Sequence, residues 1–237
     1  MPIHKLKLVA RQAVAQNTIL LTFEKPDGFQ FVAGQYGGFT LINPSQTDAG
    51  GITRRFSLMS TPDEDTLQIV TRIQASAYKK ELSQLSLGSE IKFAGPSGNF
   101  VMHSEENIPA VMIAGGIGIA PFLSIIRDSL KHQPKRHITL FYGNNTRADS
   151  PFIDALDDLA KTSPQLKVIH AMASPSADWQ GETGYITDSI IKKYVPDLST
   201  PIFYICGSPS MVNALHETLK DLEIDESKIR IEDFPGY

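Results

Sequence analysis

The sequence has a single cysteine, Cys206, among its 237 residues. One cysteine cannot make an internal disulfide, a four-cysteine zinc site or an iron–sulfur cluster, and its scarcity agrees with a reducing compartment. No apolar run approaches the roughly 20 residues that span a bilayer. The N-terminal stretch MPIHKLKLVARQ also lacks the apolar segment of a signal peptide. We therefore expect a soluble, cytoplasmic protein without a membrane span.

The sequence also has no excess of positively charged residues. The chain has 22 Lys and Arg against 26 Asp and Glu, and its net charge is −4. Nucleic-acid binding needs a concentrated positive surface, so we expect no nucleic-acid partner. The six histidines are scattered without the spacing of a metal site, and no metal is expected. The hydrophobic share of 41% is that of an ordinary globular protein.

Short segments with alternating or β-branched residues fill the first hundred positions, and turns rich in Gly, Pro, Asn and Asp separate them. Many short strands with regular turns predict an antiparallel barrel or sandwich. The predicted strands are 5–8, 18–23, 36–42, 52–59, 66–73 and 90–93, with one short helix at 77–85.

From residue 108 onward, continuous apolar strands alternate with helices. Strands without polar alternation are buried on both faces, as in parallel sheets. This half is therefore predicted to be a doubly wound α/β domain with five parallel strands. A polar stretch at 101–107 suggests domains of 1–103 and 104–237. The predicted strands are 110–114, 137–142, 166–171, 202–206 and 229–231, and the predicted helices are 121–131, 152–161, 187–194 and 209–222.

A glycine-rich loop follows the first strand of the second half. It contains Gly115, Gly116 and Gly118, and Pro121 stands at the start of the next helix. Glycines let main-chain N–H groups approach a diphosphate closely, and a helix N-terminus favours negative charge. Pro121 suits a first helical turn, but it replaces the third glycine of the dinucleotide motif G-x-G-x-x-G. Taken alone, the loop is either a phosphate site or a tight turn without a ligand.

The second strand of this half ends in amides, followed by Arg147. An NAD site of the common type has an acidic residue near this position, which bonds the ribose hydroxyls. Arg147 could instead pair with a 2′-phosphate, which favours NADP(H) over NAD(H). The alternative is a solvated loop arginine.

Two adjacent arginines precede an aromatic residue and a hydroxyl in the predicted strand 52–59. In a regular strand Arg54 and Phe56 share one face, while Arg55 and Ser57 share the other. An arginine suits a diphosphate, an aromatic ring suits a flat ligand, and a serine can donate to a ring nitrogen. From spacing alone, an edge strand with solvent-facing arginines and a core phenylalanine is the better explanation of the segment.

Four segments in order resemble the motifs of the ferredoxin–NADP reductase superfamily. Residues 54–57 resemble its flavin motif R-x-Y-S/T, with phenylalanine in place of tyrosine. Residues 95–100 match G-P-x-G-x-F, residues 116–121 match G-x-G-x-x-P, and residues 206–211 match C-G-x-x-x-M. The resemblance implies an N-terminal antiparallel flavin-binding β-barrel followed by an NAD(P)-binding α/β domain.

The resemblance also implies which residues contact FAD. Arg54 is expected at the diphosphate, Phe56 against the isoalloxazine, and Ser57 near the flavin N5 atom that accepts the hydride. Lys79 stands where the family has a hydroxyl, and a lysine also suits phosphate. The other implied FAD contacts are the main chain of Val70, Thr71 and Arg72, and the side chain of Ser76.

On the nucleotide side, the resemblance places Cys206 close to the nicotinamide, although a lone cysteine is more often a small buried hydrophobe. Gly207 and Met211, in the same motif, are expected among the cofactor-binding residues. Glu232 is expected near the flavin edge, where it assists proton movement, or else it is a surface carboxylate. At the end of the chain, Tyr237 is expected to stack on the flavin; the alternatives are that Phe234 does so or that the tail only docks on the barrel.

The implied activity is hydride transfer between NAD(P)H and FAD, followed by electron transfer to a separate acceptor such as ferredoxin or flavodoxin. Catalytic roles fall to Ser57, Cys206 and Glu232. Two alternatives stay open: a reductase of free flavin, and a non-catalytic nucleotide-binding subunit of a larger redox complex.

Overall fold

The computed structural model describes residues 2–74 and 76–233. In the first half, six antiparallel strands form one sheet in the order β4-β3-β6-β1-β2-β5. Just beyond β4, the amide of Met59 donates to the carbonyl of Gln68 in β5, so the two edges of the sheet meet and it closes like a barrel. The elements are β1 (Ile3–Ala15), β2 (Thr18–Glu24), β3 (Tyr36–Thr40), β4 (Thr53–Ser57), β5 (Thr66–Arg72), α1 (Ala77–Gln84) and β6 (Glu90–Ser97).

The interior of the barrel is rich in aromatic rings. Phe39 is fully buried, and the centroid of its ring lies 5.0 Å from that of Phe93 and 5.7 Å from that of Phe23. Each buried phenylalanine removes enough apolar surface from water to contribute about 2 kcal/mol. The alternating strand pattern therefore directs large side chains inward, as the sequence predicts.

The second half is a parallel sheet with strand order β10-β9-β8-β7-β11-β12. Helices α2 and α3 pack on one face, and α4 and α5 on the other, which makes the domain doubly wound. The elements are β7 (Ala110–Gly115), α2 (Ile119–His132), β8 (Ile138–Asn144), α3 (Ile153–Thr162), β9 (Leu166–Met172), β10 (Glu182–Thr183), α4 (Asp188–Tyr194), β11 (Ile202–Gly207), α5 (Pro209–Asp221) and β12 (Ile229–Asp233).

The prediction of five parallel strands is one strand short for the described residues. All five predicted strands form, and β10 adds a sixth by pairing in parallel with Ala171 and Met172 of β9. A two-residue strand has no hydrophobic period of its own. Its pairing comes from the exposed edge of β9, which the local sequence does not reveal.

The two halves share a hydrophobic cluster centred on α2. The ring of Phe100, in the connection after β6, lies 5.4 Å from Phe122 of α2 and 5.7 Å from Tyr204 of β11. Ser124 of α2 also donates to the carbonyl of Ser60 across the interface at 2.6 Å. These contacts hold the barrel against the carboxyl ends of the parallel strands.

The connection between the sheets, residues 98–109, is held by a buried arginine. Arg136 is fully buried and donates to the carbonyls of His103 at 2.9 Å and Ile108 at 2.8 Å. It also donates to Gln133 Oε1 at 2.7 Å. Because buried carbonyls need donors, this side chain fixes the path of the connection.

Candidate active site

A cleft of about 930 Å³ lies between the two halves of the chain. Residues 54–57 of β4 form part of its wall on the barrel side. Ile117 and Ala120, from the glycine-rich loop and the start of α2, line the opposite side together with Glu232 of β12. Ligands of doubly wound sheets bind at the carboxyl ends of the strands, and this cleft occupies that edge. Two segments that are distant in the sequence therefore open onto one cavity.

Positive side chains gather around the start of α1. Ser76 caps the helix, since its hydroxyl accepts from the amide of Lys79. Lys79 is buried, and its burial together with the nearby Arg54 and Arg72 lowers the pKa of its ammonium group. The Arg54 guanidinium lies over the ring of Tyr78, at 5.0 Å from the centroid. This concentration of positive charge favours a bound anion.

Asp48, which no sequence motif identifies, lies among these groups and lines the cleft. Its carboxylate accepts from Arg54 Nη2 at 2.7 Å, from Ser76 Oγ at 3.0 Å and from the Gly50 amide at 2.9 Å. Partial desolvation acts to raise the pKa of Asp48, but these hydrogen bonds outweigh it and the pKa lies below its usual value. Arg54 Nη1 donates to main-chain carbonyls within 50–53.

A second polar group lies where β4 approaches β12. Ser57 Oγ and Glu232 Oε2 are both enclosed, and neither has a hydrogen-bond partner with good geometry among the described residues. Burial raises the pKa of Glu232 to about 7, the nearby Ser57 hydroxyl lowers it, and Asp233 raises it further. Buried polar atoms without partners are unusual in proteins, and here they face a cleft that can hold a ligand.

The rest of the barrel wall follows the predicted strand alternation. Arg54 and Phe56 both contact Tyr78, on the opposite face from Arg55, which lies over the Tyr36 ring. Phe56 is only 9% exposed, and its ring packs into the barrel interior. Val70 and Thr71, which the resemblance places at the flavin, line the cleft, as do Tyr36 and Ile231, which no motif identifies.

The glycine loop packs tightly against the neighbouring strand. A Cβ atom on Gly118 would overlap the main chain of Cys206 and Gly207, and one on Gly115 would overlap Met211 Sδ. Gly116 has a φ of +53°, a conformation that favours glycine. The loop thus holds the start of α2 against β11. It meets the cleft through Ile117 and Ala120, whereas Pro121 is buried in the first turn of α2.

Cys206 lies behind the wall of the cleft. Its side chain is fully buried in the cluster that also contains Ala114 and Ile119. In the sheet, Cys206 is paired with Ala114 of β7 on one side and with Glu232 of β12 on the other. Burial, with smaller contributions from Glu232 and Asp233, raises the pKa of its thiol well above the usual value. The geometry therefore gives a protonated, enclosed sulfur.

The side chains of Arg72 and Arg147 are not among those that line the cleft between the two halves. Arg72 Nη2 donates to the Asp149 carbonyl at 3.1 Å and lies beside Gly116, so its side chain bridges the barrel to the loop after β8 and to the glycine-rich loop. Arg147 is exposed, forms an ion pair with Asp154 and lines a second cleft of about 510 Å³. Tyr237 lies outside the described residues.

Within residues 2–74 and 76–233, no helix has both the length and the apolar character needed to cross a membrane. In the same part of the chain, no group of three or more His, Cys, Asp or Glu side chains is arranged to hold a metal ion.

The second half matches a known protein family. Residues 112–217 match the model of the oxidoreductase NAD-binding domain family. The chain is 30% identical over 230 residues to NADH-cytochrome b5 reductase 1 of Mortierella alpina, covering 94% of this chain and 76% of that protein. It is 27% identical to ferredoxin–NADP reductase B of Sorangium cellulosum, covering 95% of both chains.

Other relatives are longer. The chain is 25% identical to a flavohemoprotein of Oceanobacillus iheyensis, which it spans for 51% of that protein's length. Among solved structures, a ferredoxin NADP⁺ reductase of Neisseria gonorrhoeae with bound FAD and NADP has the same fold. The TM-score is 0.81 at 21% identity, with 98% of this chain and 99% of that chain covered.

Proposed function

Because the chain belongs to the ferredoxin–NADP reductase superfamily, we propose that it is an FAD-dependent oxidoreductase that uses NAD(P)H. One observation carries the proposal. The strand with Arg54 and Ser57, the start of α2 and the carboxylate of Glu232 line a single cleft. A flavin held on the barrel side of this cleft would face a nucleotide held by the glycine loop.

The side chains of the cleft fit FAD. Arg54, Ser76 and Lys79 offer two cations and a hydroxyl, which suit a diphosphate. Ser57 and Glu232 offer enclosed polar atoms for the polar edge of a flavin ring. The volume of about 930 Å³ lies in the upper part of the range for cofactor sites, roughly 300–1,000 Å³.

When bound, FAD supplies the redox chemistry, accepting a hydride from the nicotinamide and passing electrons to an acceptor. The protein binds and orients the two groups and excludes water. Ile117 and Ala120 present apolar surface to the cleft. Ser57 Oγ can donate a hydrogen bond there. Glu232, with a pKa of about 7, can hold or release a proton at its carboxyl near neutral pH.

We place the nucleotide diphosphate at the start of α2, against Gly115, Gly116 and Gly118, with Pro121 beginning the helix. The nicotinamide side of the cleft is supported by the residues that pack against the glycine-rich loop, which are Cys206, Gly207 and Met211. Arg147 pairs with the 2′-phosphate, so NADPH is preferred over NADH. The acceptor is a separate small redox protein such as ferredoxin or flavodoxin.

Anaerobic titration of the purified protein with NADPH and then NADH tests the function. We expect the visible flavin absorbance to bleach. Arg54→Ala should lose flavin, whereas Gly118→Ala should keep flavin but lose reduction by the nucleotide, because its Cβ would displace the loop. A protein that holds no flavin and cannot be reconstituted with FAD would contradict the proposal, and bound flavin that no nucleotide bleaches would favour a non-catalytic subunit.

One observation favours a second candidate, a reductase of free flavin. Both terminal nitrogens of Arg54 are already bonded within the chain, which weakens its hold on a diphosphate. Gel filtration separates the candidates, since a resident cofactor stays with the protein and a flavin substrate is lost.

A further inference from the structure

Arg54 is held by its own loop. Its Nη2 donates to Asp48 Oδ1 at 2.7 Å, and its Nη1 donates to the carbonyls of Gly51 at 3.0 Å and Thr53 at 2.9 Å. A Cβ on Gly50 would overlap the guanidinium, so the loop main chain lies directly against it. The planar fork that suits a diphosphate is therefore engaged by residues 48–53.

Asp48 has the bonding pattern of a bound phosphate group. One carboxylate oxygen accepts from Arg54 and the other accepts from Ser76 Oγ at 3.0 Å. Both donors line the cleft and stand beside the buried Lys79. The Asp48 carboxylate thus lies where the proposed function places the negatively charged diphosphate of FAD. Two anions cannot share these donors without strong repulsion.

The loop that carries Asp48 can move at low cost. Between β3 and β4, residues 43–51 are mostly exposed, and none of them is buried. Besides the Asp48 contacts, the loop is held to α1 by hydrogen bonds from Ser45 and from the Gln46 main chain to Glu81. Segments with few buried contacts open locally at little free-energy cost. In the ion pair itself, the Arg54 and Asp48 side chains are 25% and 31% exposed, so water can replace the partners.

We propose that the Asp48 carboxylate occupies the place of the FAD diphosphate and that its loop is an internal competitor, which must release Arg54 and Ser76 before the dinucleotide binds. The proposal rests on the proposed function for the identity of the cofactor. It makes Asp48 a residue that sets how tightly flavin is held. The apparent affinity falls by the fraction of chains in which the carboxylate occupies the site.

The test compares flavin-free wild type with Asp48→Asn, which retains an acceptor for the Gly50 amide, and with Asp48→Ala. Asp65→Asn is the matched control, because Asp65 is an exposed carboxylate on a barrel turn away from the cleft. Binding of FAD, riboflavin and inorganic diphosphate is measured by calorimetry. We expect both Asp48 variants to bind FAD about tenfold more tightly. Diphosphate should follow FAD, and riboflavin, which has no phosphate, should bind as to wild type.

Three results would overturn the proposal. Weaker FAD binding by Asp48→Asn would mean that Asp48 orients Arg54 as a positioning residue. Equal tightening of riboflavin would mean a general change in the loop. An effect equal to that of Asp65→Asn would mean only a change in net charge. If no variant binds FAD, the proposed function fails, and the diphosphate measurement still decides whether Asp48 competes for the anion site.

Discussion

The buried carboxyl of Glu232 makes the stability of the flavin-free protein depend on pH. Burial raises its pKa from 4.5 to about 7. At about 1.4 kcal/mol per pKa unit, this difference corresponds to about 3 kcal/mol between the two protonation states. Because the pKa is higher in the folded chain, protonation stabilises the fold. That stabilisation is fully present below pH 4.5 and is lost as the pH rises through about 7.

Replacing Glu232 with glutamine keeps the shape but removes the charge. We expect Glu232→Gln and wild type to be similarly stable at about pH 4.5. At about pH 8 the variant should be more stable by about 3 kcal/mol, which raises the melting temperature by roughly 6–12 °C for a chain of this length. The assay is thermal unfolding followed by circular dichroism at a series of pH values.

The control is Glu24→Gln, which removes an exposed carboxylate at the end of β2. Its difference from wild type should change little with pH. The reasoning is refuted if the Glu232→Gln difference is independent of pH, or if the variant is the less stable protein at about pH 8. Either result would mean that the carboxylate finds partners or water that compensate its burial.

Three further predictions concern arginine and cysteine. Arg136→Ala should lower the free energy of unfolding by about 3 kcal/mol, because buried carbonyls of the connection lose their donor; a loss below about 1 kcal/mol in urea unfolding would contradict this. Cys206 should react with a thiol reagent only after unfolding, since it is buried and protonated; rapid labelling of the native chain would show that it is accessible. Arg147→Ala should raise the KM for NADPH about tenfold and leave that for NADH unchanged; equal effects on both would remove Arg147 from the 2′-phosphate site.

The sequence predicts much of this fold because its periodicities are strong and local. Alternation in the first half and continuous apolar strands in the second identify most major elements to within a few residues, but β1, predicted as 5–8, extends to Ala15. The edge strand β10 escapes prediction since its pairing partner, β9, lies ten residues earlier and supplies the hydrogen bonds. Strand position likewise does not reveal that Cys206 lies behind the cleft, because that depends on how the loop at Gly118 covers it.

The candidate site is harder to predict from the sequence than the fold is. Motif order identifies Arg54 and Ser57, and strand alternation identifies their faces. Asp48 carries no such signal: it is one polar residue in a polar loop, and its contact with Ser76 joins positions 28 residues apart. Only the folded chain shows that the Asp48 carboxylate accepts hydrogen bonds from Arg54 and Ser76, the side chains that are predicted to bind phosphate.

The cluster around Phe100 and α2 has a consequence for protein engineering. Since side chains from both halves fill it together, neither half presents a finished surface where they meet. A chimaera that takes its nucleotide-binding half from another protein would set a foreign helix against Leu20 and Met59. Such exchanges should succeed only when the chimaera keeps the native α2, or when the donor's matching barrel residues are transferred together with its helix.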